Sequence, residues 1–374
     1  MIRTLKYTPP TPARGVHPQW AAAESQDAIC LLPGPVAISP RVTAAFHEPL
    51  VYHRSDEFVP LFEGVRAKLS AMIGGVPVGM FIGSGTLAND AVAATLAADP
   101  ARDNGLLLVS GEFGDRLLKQ AQNSGLSPRI LSWDWGRAWQ LDEVEAAMRA
   151  MPAGGWVWGA HHETSTGVLN DLPGLVTLAK KYGHRVCVDC VSSLATVPLD
   201  LSEVYLATGA SGKAIGSYAG VAFVFANPAN LEHLDTSRIP TYLNVASTVT
   251  TVGPRFTAPS PMVKALDVAL DVFATPALCQ TRYQQIADLG GLVRQRLTAA
   301  GFELLAADDV ASPAIVTFAP PREMSSAAFV GMCREWGYQI AGQSGYLAER
   351  RLVQLAVMGH VSRADIEPLL ERLA

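Results

Sequence analysis

The stretch "YLATGASGKAIGSYAG", residues 205–220, holds one charged side chain, Lys213, among glycines and small residues. A lysine in apolar surroundings loses hydration, and its pKa falls toward the range where the neutral amine acts as nucleophile or base. That suits Schiff-base chemistry with a carbonyl compound; the alternative is a loop lysine that snorkels to water past small neighbours. A second isolated charge, Asp189, stands inside the apolar run "VCVDCVSS". A buried carboxylate must face a cation, a metal or a protonated heterocycle, or else cap a neighbouring turn. In "FIGSGTLAND", Ser84, Gly85 and Thr86 follow an apolar run and open a helical segment, offering backbone N–H groups and two hydroxyls to a phosphate. The same residues fit a dinucleotide fingerprint, Gly83-x-Gly85-x-x-Ala88 with Glu112 placed for a ribose hydroxyl, and equally fit glycines that only permit tight packing.

These residues need elements to bring them together. Between about residues 78 and 226 the chain repeats a short apolar run, a small-residue turn and a helical segment: "VGMFIG", "GLLLVSG", "RILSW", "GGWVWGAHH", "HRVCVDCVSS" and "GVAFVFANP". Continuous apolar runs alternating with helices predict a parallel sheet covered on both faces. Such sheets bind ligands beyond the carboxyl ends of their strands, where the three features fall. Asp189 precedes Lys213 by 24 residues, and one further strand between them returns both to the same sheet edge. After about residue 255 the texture changes. "SPMVKALDVALDVF" sets Met262, Ala265, Leu266, Ala269, Leu270 and Phe273 on one helical stripe, and further strands and helices form an α+β module. The predicted organisation is an N-terminal extension over 1–28, a large domain over 29–255 and a smaller domain over 256–374.

Composition excludes several function classes. With 49% apolar residues, 17% charged residues and a formal net charge of −5, the 374-residue chain has no basic excess or Lys/Arg-rich run for nucleic acid or an anionic membrane. No apolar run reaches the roughly 18 residues of a membrane span, and the N-terminus lacks the apolar core of a secretory signal, so a cytoplasmic protein is expected. Five cysteines without regular spacing argue against a disulfide framework. Cys187 and Cys190 form a C-x2-C, but an offset of three along a strand turns the two thiols to opposite faces, so no shared metal is expected.

A phosphate cup, a buried aspartate and a glycine-flanked lysine at three strand ends together suit pyridoxal 5′-phosphate. At this point the sequence resembles the class V aminotransferases among fold-type I pyridoxal-phosphate enzymes. The resemblance covers roughly residues 28–374 and rests on "LLPGPVAISP", "HRSDEF", "GSGTLAND", "GEFGDR", "HHETSTGVLND", "VDCVSS" and "SGKAIGSYAG" in that order. It implies an α/β fold with a mostly parallel seven-stranded sheet in the large domain, and a transaminase acting on an amino donor and an oxo-acid acceptor. It implies further that Lys213 forms the Schiff base and moves a proton, that Asp189 pairs with the pyridine nitrogen, and that Ser84, Gly85 and Thr86 hold the phosphate. Phe113 and Val191 would pack the two faces of the ring, and Thr164 would bond its phenolic oxygen. Thr257 would reach the phosphate of a neighbouring subunit, which implies a homodimer with shared sites. His161 and His162 are expected to pack or to position the ring, and His53-Arg54 to form a turn near the substrate entrance.

One position departs from the family pattern. Where members place an arginine for the substrate carboxylate or phosphonate, this chain has Gln354, and a neutral amide cannot replace that charge. Arg351 or Arg350 would substitute only by a slip of register, and Arg255 is a further candidate anion binder. Gly212 stands where a polar residue usually precedes the lysine. The alternatives kept open are a lyase on the same fold, for which Cys333 in "VGMCREWG" is poorly placed, and a nicotinamide-dependent dehydrogenase.

Overall fold

A computed structural model of the chain describes residues 28–374; the expected N-terminal extension lies, except for its last residue, outside the described residues. Seven strands form the central sheet: β1 (Val78–Ile82), β2 (Gly105–Val109), β3 (Arg129–Ser132), β4 (Trp156–Ala160), β5 (Arg185–Asp189), β6 (Leu206–Ala210) and β7 (Val221–Phe225). Their spatial order is β1-β7-β6-β5-β4-β2-β3, and only β7 runs antiparallel to its neighbours. The architecture is therefore the mostly parallel α/β sheet that the apolar runs and the resemblance led us to expect.

The reason those runs lack polar alternation is visible in the packing. Along β2, Leu106 and Leu108 enter the core on one face while Leu107 and Val109 enter the core on the other; Val157 and Trp158 of β4 divide in the same way. Cys187 and Cys190 likewise belong to opposite cores, as the offset of three requires. Among the described residues no cluster of His, Cys, Asp or Glu is arranged to hold a metal ion. No helix there is long and apolar enough to cross a membrane.

Beyond the sheet, an antiparallel pair, β8 (Ile315–Phe318) and β9 (Val353–Ala356), packs with helices Pro276–Ala299, Ser326–Glu335 and Arg363–Leu373. One sheet-face core continues into this module, with Val157 and Val188 in the same cluster as Val316, Phe329 and Val353. The start of the described chain also joins the module: Ile29–Cys30 pairs in parallel with Tyr338–Gln339, and the Ala356 N–H donates to the Leu31 carbonyl at 2.9 Å. The backbone groups of this two-residue strand find partners there and not on the central sheet, so residues 29–31 belong structurally with the C-terminal elements.

The long helix Pro276–Ala299 carries two adjacent glycines with opposite surroundings. A Cβ on Gly290 would lie 1.8 Å from the Pro313 carbonyl oxygen, whereas nothing lies within 4 Å of one on Gly291. Backbone cannot move aside as a flexible side chain can. Gly290→Ala is therefore expected to destabilise the fold by about 1–3 kcal/mol or more. Gly291→Ala is expected to stabilise it by up to about 1 kcal/mol through helix propensity. Thermal denaturation of the two variants beside the parent checks the pair, and equal melting temperatures would contradict the packing described.

Candidate active site

Five connections leave the carboxyl ends of parallel strands at one sheet edge, and each brings a candidate residue. They are Ser84–Thr86 after β1, Phe113 after β2, His161–Thr164 after β4, Asp189–Val191 at the end of β5, and Lys213 after β6. Two helices start at this edge, α1 (Gly85–Ala97) and α2 (Glu112–Asn123).

Asp189 is the buried charge of the group. Its Oδ2 accepts from Asn89 Nδ2 at 2.7 Å and its Oδ1 from the Val191 N–H at 2.8 Å. Asn89 in turn accepts from Thr208 Oγ1 at 2.8 Å, and Thr208 sits directly across from Asp189 in the β5–β6 register. Burial raises the Asp189 pKa, while the Val191 N–H, Asn89 and the Lys213 charge work the other way. Asn89 and Thr208 received no role from sequence reasoning. The signal available for Asn89 was its place four residues after Gly85, one helical turn along the buried face of α1.

Lys213 is pushed down to about 8 by burial, with the Arg116 charge adding to the effect and Asp189 opposing it. Its Nζ donates to the Pro33 carbonyl at 2.6 Å. The "LLPGPV" segment lies close against this side chain: a Cβ on Gly34 would come within 2.8 Å of Lys213 Cδ and Cε, and φ there is +143°. A glycine at 34 therefore satisfies both the close approach and the backbone conformation. At Gly212 a Cβ would stand 2.7 Å from that of Ala219, so the residue before the lysine is limited by packing.

The two helix starts are treated differently. The N-terminus of α2 is closed by Glu163, whose buried carboxylate accepts from the N–H groups of Phe113 at 3.2 Å and Gly114 at 3.0 Å. Burial raises the Glu163 pKa, and the Ser165 hydroxyl and these N–H groups hold it back. At α1 the cap is Ser84, whose side chain makes no capping bond, and both Ser84 and Thr86 are exposed. First-turn N–H groups have no intrahelical acceptor, so this start can receive an external anion. Gly85 permits the close packing of Val191, whose Cγ2 would lie 2.7 Å from a Cβ at 85.

Thr164 is buried, with its hydroxyl paired to the Ser192 hydroxyl. His162 Nδ1 donates to the Ser192 carbonyl at 3.0 Å, leaving Nε2 buried and without a partner among the described residues. Burial pushes His162 down to about 4, and the Lys213 charge acts in the same direction, so the ring is neutral. His161 instead borders a separate groove of about 820 Å³ beside helix Leu172–Tyr182.

The structure gives the remaining candidates other partners. Gln354 is fully buried, and its Nε2 donates to the Thr164 carbonyl at 2.6 Å, the Ser165 carbonyl at 3.2 Å and Thr317 Oγ1 at 2.8 Å. Arg351 lies outside β9 and donates to the carbonyls of Pro321, Arg322 and Met324. Arg255 donates to the Thr241 carbonyl at 2.8 Å and stacks on Phe256. Thr257 is exposed, and no polar contact joins it to the other candidates among the described residues. Glu112, the ribose ligand of the dehydrogenase alternative, is paired with Arg116 Nε at 2.9 Å. Cys333 is buried in its helix with the thiol pushed up to about 11, unlike an activated nucleophile.

These residues fit pyridoxal phosphate. A buried carboxylate in need of a cation, a desolvated amine, an open helix start and a small-residue contact at Gly85 correspond to its pyridine nitrogen, aldehyde, phosphate and flat ring.

Residues 23–299 match the family Aminotransferase class-V. The 2-aminoethylphosphonate–pyruvate transaminase of Pseudomonas aeruginosa is 29% identical over 357 residues, covering 90% of this chain and 93% of its own. The enzyme of the same name from Pseudomonas putida is 30% identical over 309 residues, covering 79% and 82%. Among solved structures, the alanine–glyoxylate aminotransferase of Nostoc superposes with a TM-score of 0.83 at 26% identity, covering 94% of this chain and 96% of its own. The subgroup IV aspartate aminotransferase of Thermus thermophilus superposes at 0.82 and 25% identity, covering 92% and 99%. With this sheet edge, this lysine and this aspartate, the chain belongs to the class V aminotransferases and is a pyridoxal-phosphate-dependent aminotransferase of fold type I.

Proposed function

We propose that the enzyme moves an amino group from a small amine or amino acid to a 2-oxo acid in a ping-pong cycle, with Lys213 as the catalytic base. When bound, pyridoxal 5′-phosphate supplies a reactive carbonyl and a ring that accepts electrons. Ser84, Gly85 and Thr86 would bind its phosphate. Val191 and Phe113 would confine the ring, and the Thr164 hydroxyl, hydrogen-bonded to that of Ser192, would orient its phenolic oxygen. Asp189 would keep the ring nitrogen protonated, and Asn89 with the Val191 N–H holds Asp189 in place. Lys213 would hold and move the proton as general base. The single observation that carries this reading is geometric: the buried Asp189 carboxylate at the end of β5 and Lys213 just after the adjacent parallel strand β6 lie at one sheet edge. The named activities of the relatives support the substrate classes, since their donors include an aminophosphonate and their acceptors include pyruvate and glyoxylate.

The protein is read as a cytoplasmic homodimer. All five cysteines are unpaired, which suits a reducing compartment. Leu50, Tyr52 and Val252 are strongly exposed large hydrophobics, as contact with a second copy would require. We read residues 32–255 as the large domain and 256–374, joined by 29–31, as the smaller one.

Four outcomes are expected. Capture of the cofactor aldehyde by apoenzyme should speed up as pH rises through about 8, because only the unprotonated Lys213 amine attacks. A stopped-flow midpoint near the ordinary lysine value of 10.5 would contradict the role of burial. Asp189→Asn should lower turnover by about 10²- to 10³-fold. Asn89→Ala should lower it by about tenfold in kcat/KM assays, since it weakens a hydrogen bond to a charged group. Thr257→Ala should weaken cofactor retention on dialysis although its own chain gives it no contact with the site; unchanged retention would remove the shared-site argument.

A further inference from the structure

Amino transfer to a 2-oxo acid brings at least one carboxylate into the site whichever donor is used, and the cation that receives it is not evident on β9. Gln354 is neutral and its amide nitrogen is spent on two carbonyls and a hydroxyl. Arg351 is spent on three carbonyls, and Arg255 binds the Thr241 carbonyl through Nη1 and lies over Phe256, away from Phe113. Arg350 lies flat on the Trp135 ring, 3.8 Å from its centroid.

Arg116 differs from these in lying over Phe113, the residue that follows β2 at the sheet edge of Asp189 and Lys213. It stands on α2 three residues after Phe113, on the same face of the helix. Its guanidinium carbon is 4.8 Å from the Phe113 ring centroid and 5.9 Å from that of Tyr346, contributed by helix Gly345–Glu349 of the C-terminal module. Its Nε is engaged by Glu112 at 2.9 Å, while Nη1 and Nη2 make no hydrogen bond to protein among the described residues. It is also the cation whose charge reaches the Lys213 amine. A guanidinium held over the Phe113 ring and by Glu112 at Nε, with its two terminal nitrogens open, presents the fork that a carboxylate or phosphonate grips in two parallel hydrogen bonds.

We propose that Arg116 is the specificity-determining residue that receives the anionic group of the substrate. It does so from the α2 side of the entrance, with the Phe113 and Tyr346 rings flanking its guanidinium. Glu112 orients the side chain through Nε and leaves the terminal nitrogens to the ligand. Substrate recognition has thereby moved from a residue on β9 to one on α2, and the anion is gripped where large domain and C-terminal module meet. The inference rests on the transaminase reading for the identity of the substrate but not for the binding event itself, so the test uses ligands that cannot react.

Holoenzyme is titrated by calorimetry with propionate, methylphosphonate and the uncharged propionamide. Arg116→Gln should weaken both anions by about ten- to a hundredfold and shift propionamide by less than about twofold. Arg116→Lys should recover part of the loss, since a point charge replaces the fork. Arg350→Gln, which removes the neighbouring cation on Trp135, should leave propionate within about twofold of the parent. The proposal is overturned if Arg116→Gln binds propionate as tightly as the parent, or if it loses propionamide in equal measure. Enzyme that binds propionate through Arg116 yet converts no amine would sink the transaminase reading and leave this inference standing.

Discussion

The site is organised around the cost of burying the Asp189 carboxylate. A lone carboxylate at the end of a central strand would protonate or force the strand open. Here it is held by one N–H two residues ahead and by an amide from α1, which is itself anchored on Thr208 of the neighbouring strand. That chain of bonds ties β5, β6 and α1 together at the edge where Lys213 emerges. The burial that raises Asp189 also lowers Lys213, so one dry environment prepares an acid that needs a cation and an amine that sheds its proton.

The same edge shows how helix starts are allotted. Both α1 and α2 begin there with unpaired N–H groups, and the protein fills one of them itself. Glu163 closes α2, fixing Phe113 and Gly114, and a Cβ at Gly111 would collide with the Glu163 carboxyl at 2.6 Å. The start of α1 keeps its serine and threonine exposed. The Glu163 carboxyl thus holds the Phe113 end of α2, and the other helix start stays available to an external anion.

Much of this was legible beforehand. Six of the seven strands, the side of the sheet on which the candidate residues gather and the opposite facing of Cys187 and Cys190 follow from sequence pattern, because strands buried on both faces read as near-continuous apolar runs, whereas β6, with Thr208 in it, does not. Lys213 and Asp189 stood out because a charge in apolar sequence must have a partner. Asn89, Thr208 and Glu163 did not stand out, since polar residues near loops look alike until their acceptors are known. Arg116 reads in the sequence as the partner of Glu112 at i,i+4, a common surface pair, and it is one.

Residue order by itself determined most of the sheet, the isolated lysine and aspartate at one sheet edge, and the family, because these depend on local pattern and on the high penalty for an unpaired buried charge. Tertiary structure alone decided which cations are spent and which remain open. Arg351 and Gln354 are close in sequence yet bind different carbonyls, while Arg116 meets Tyr346 across some 230 residues of chain. Hydrogen-bond satisfaction is a property of the assembled neighbours, and the availability of a guanidinium for substrate follows from what those neighbours leave unclaimed.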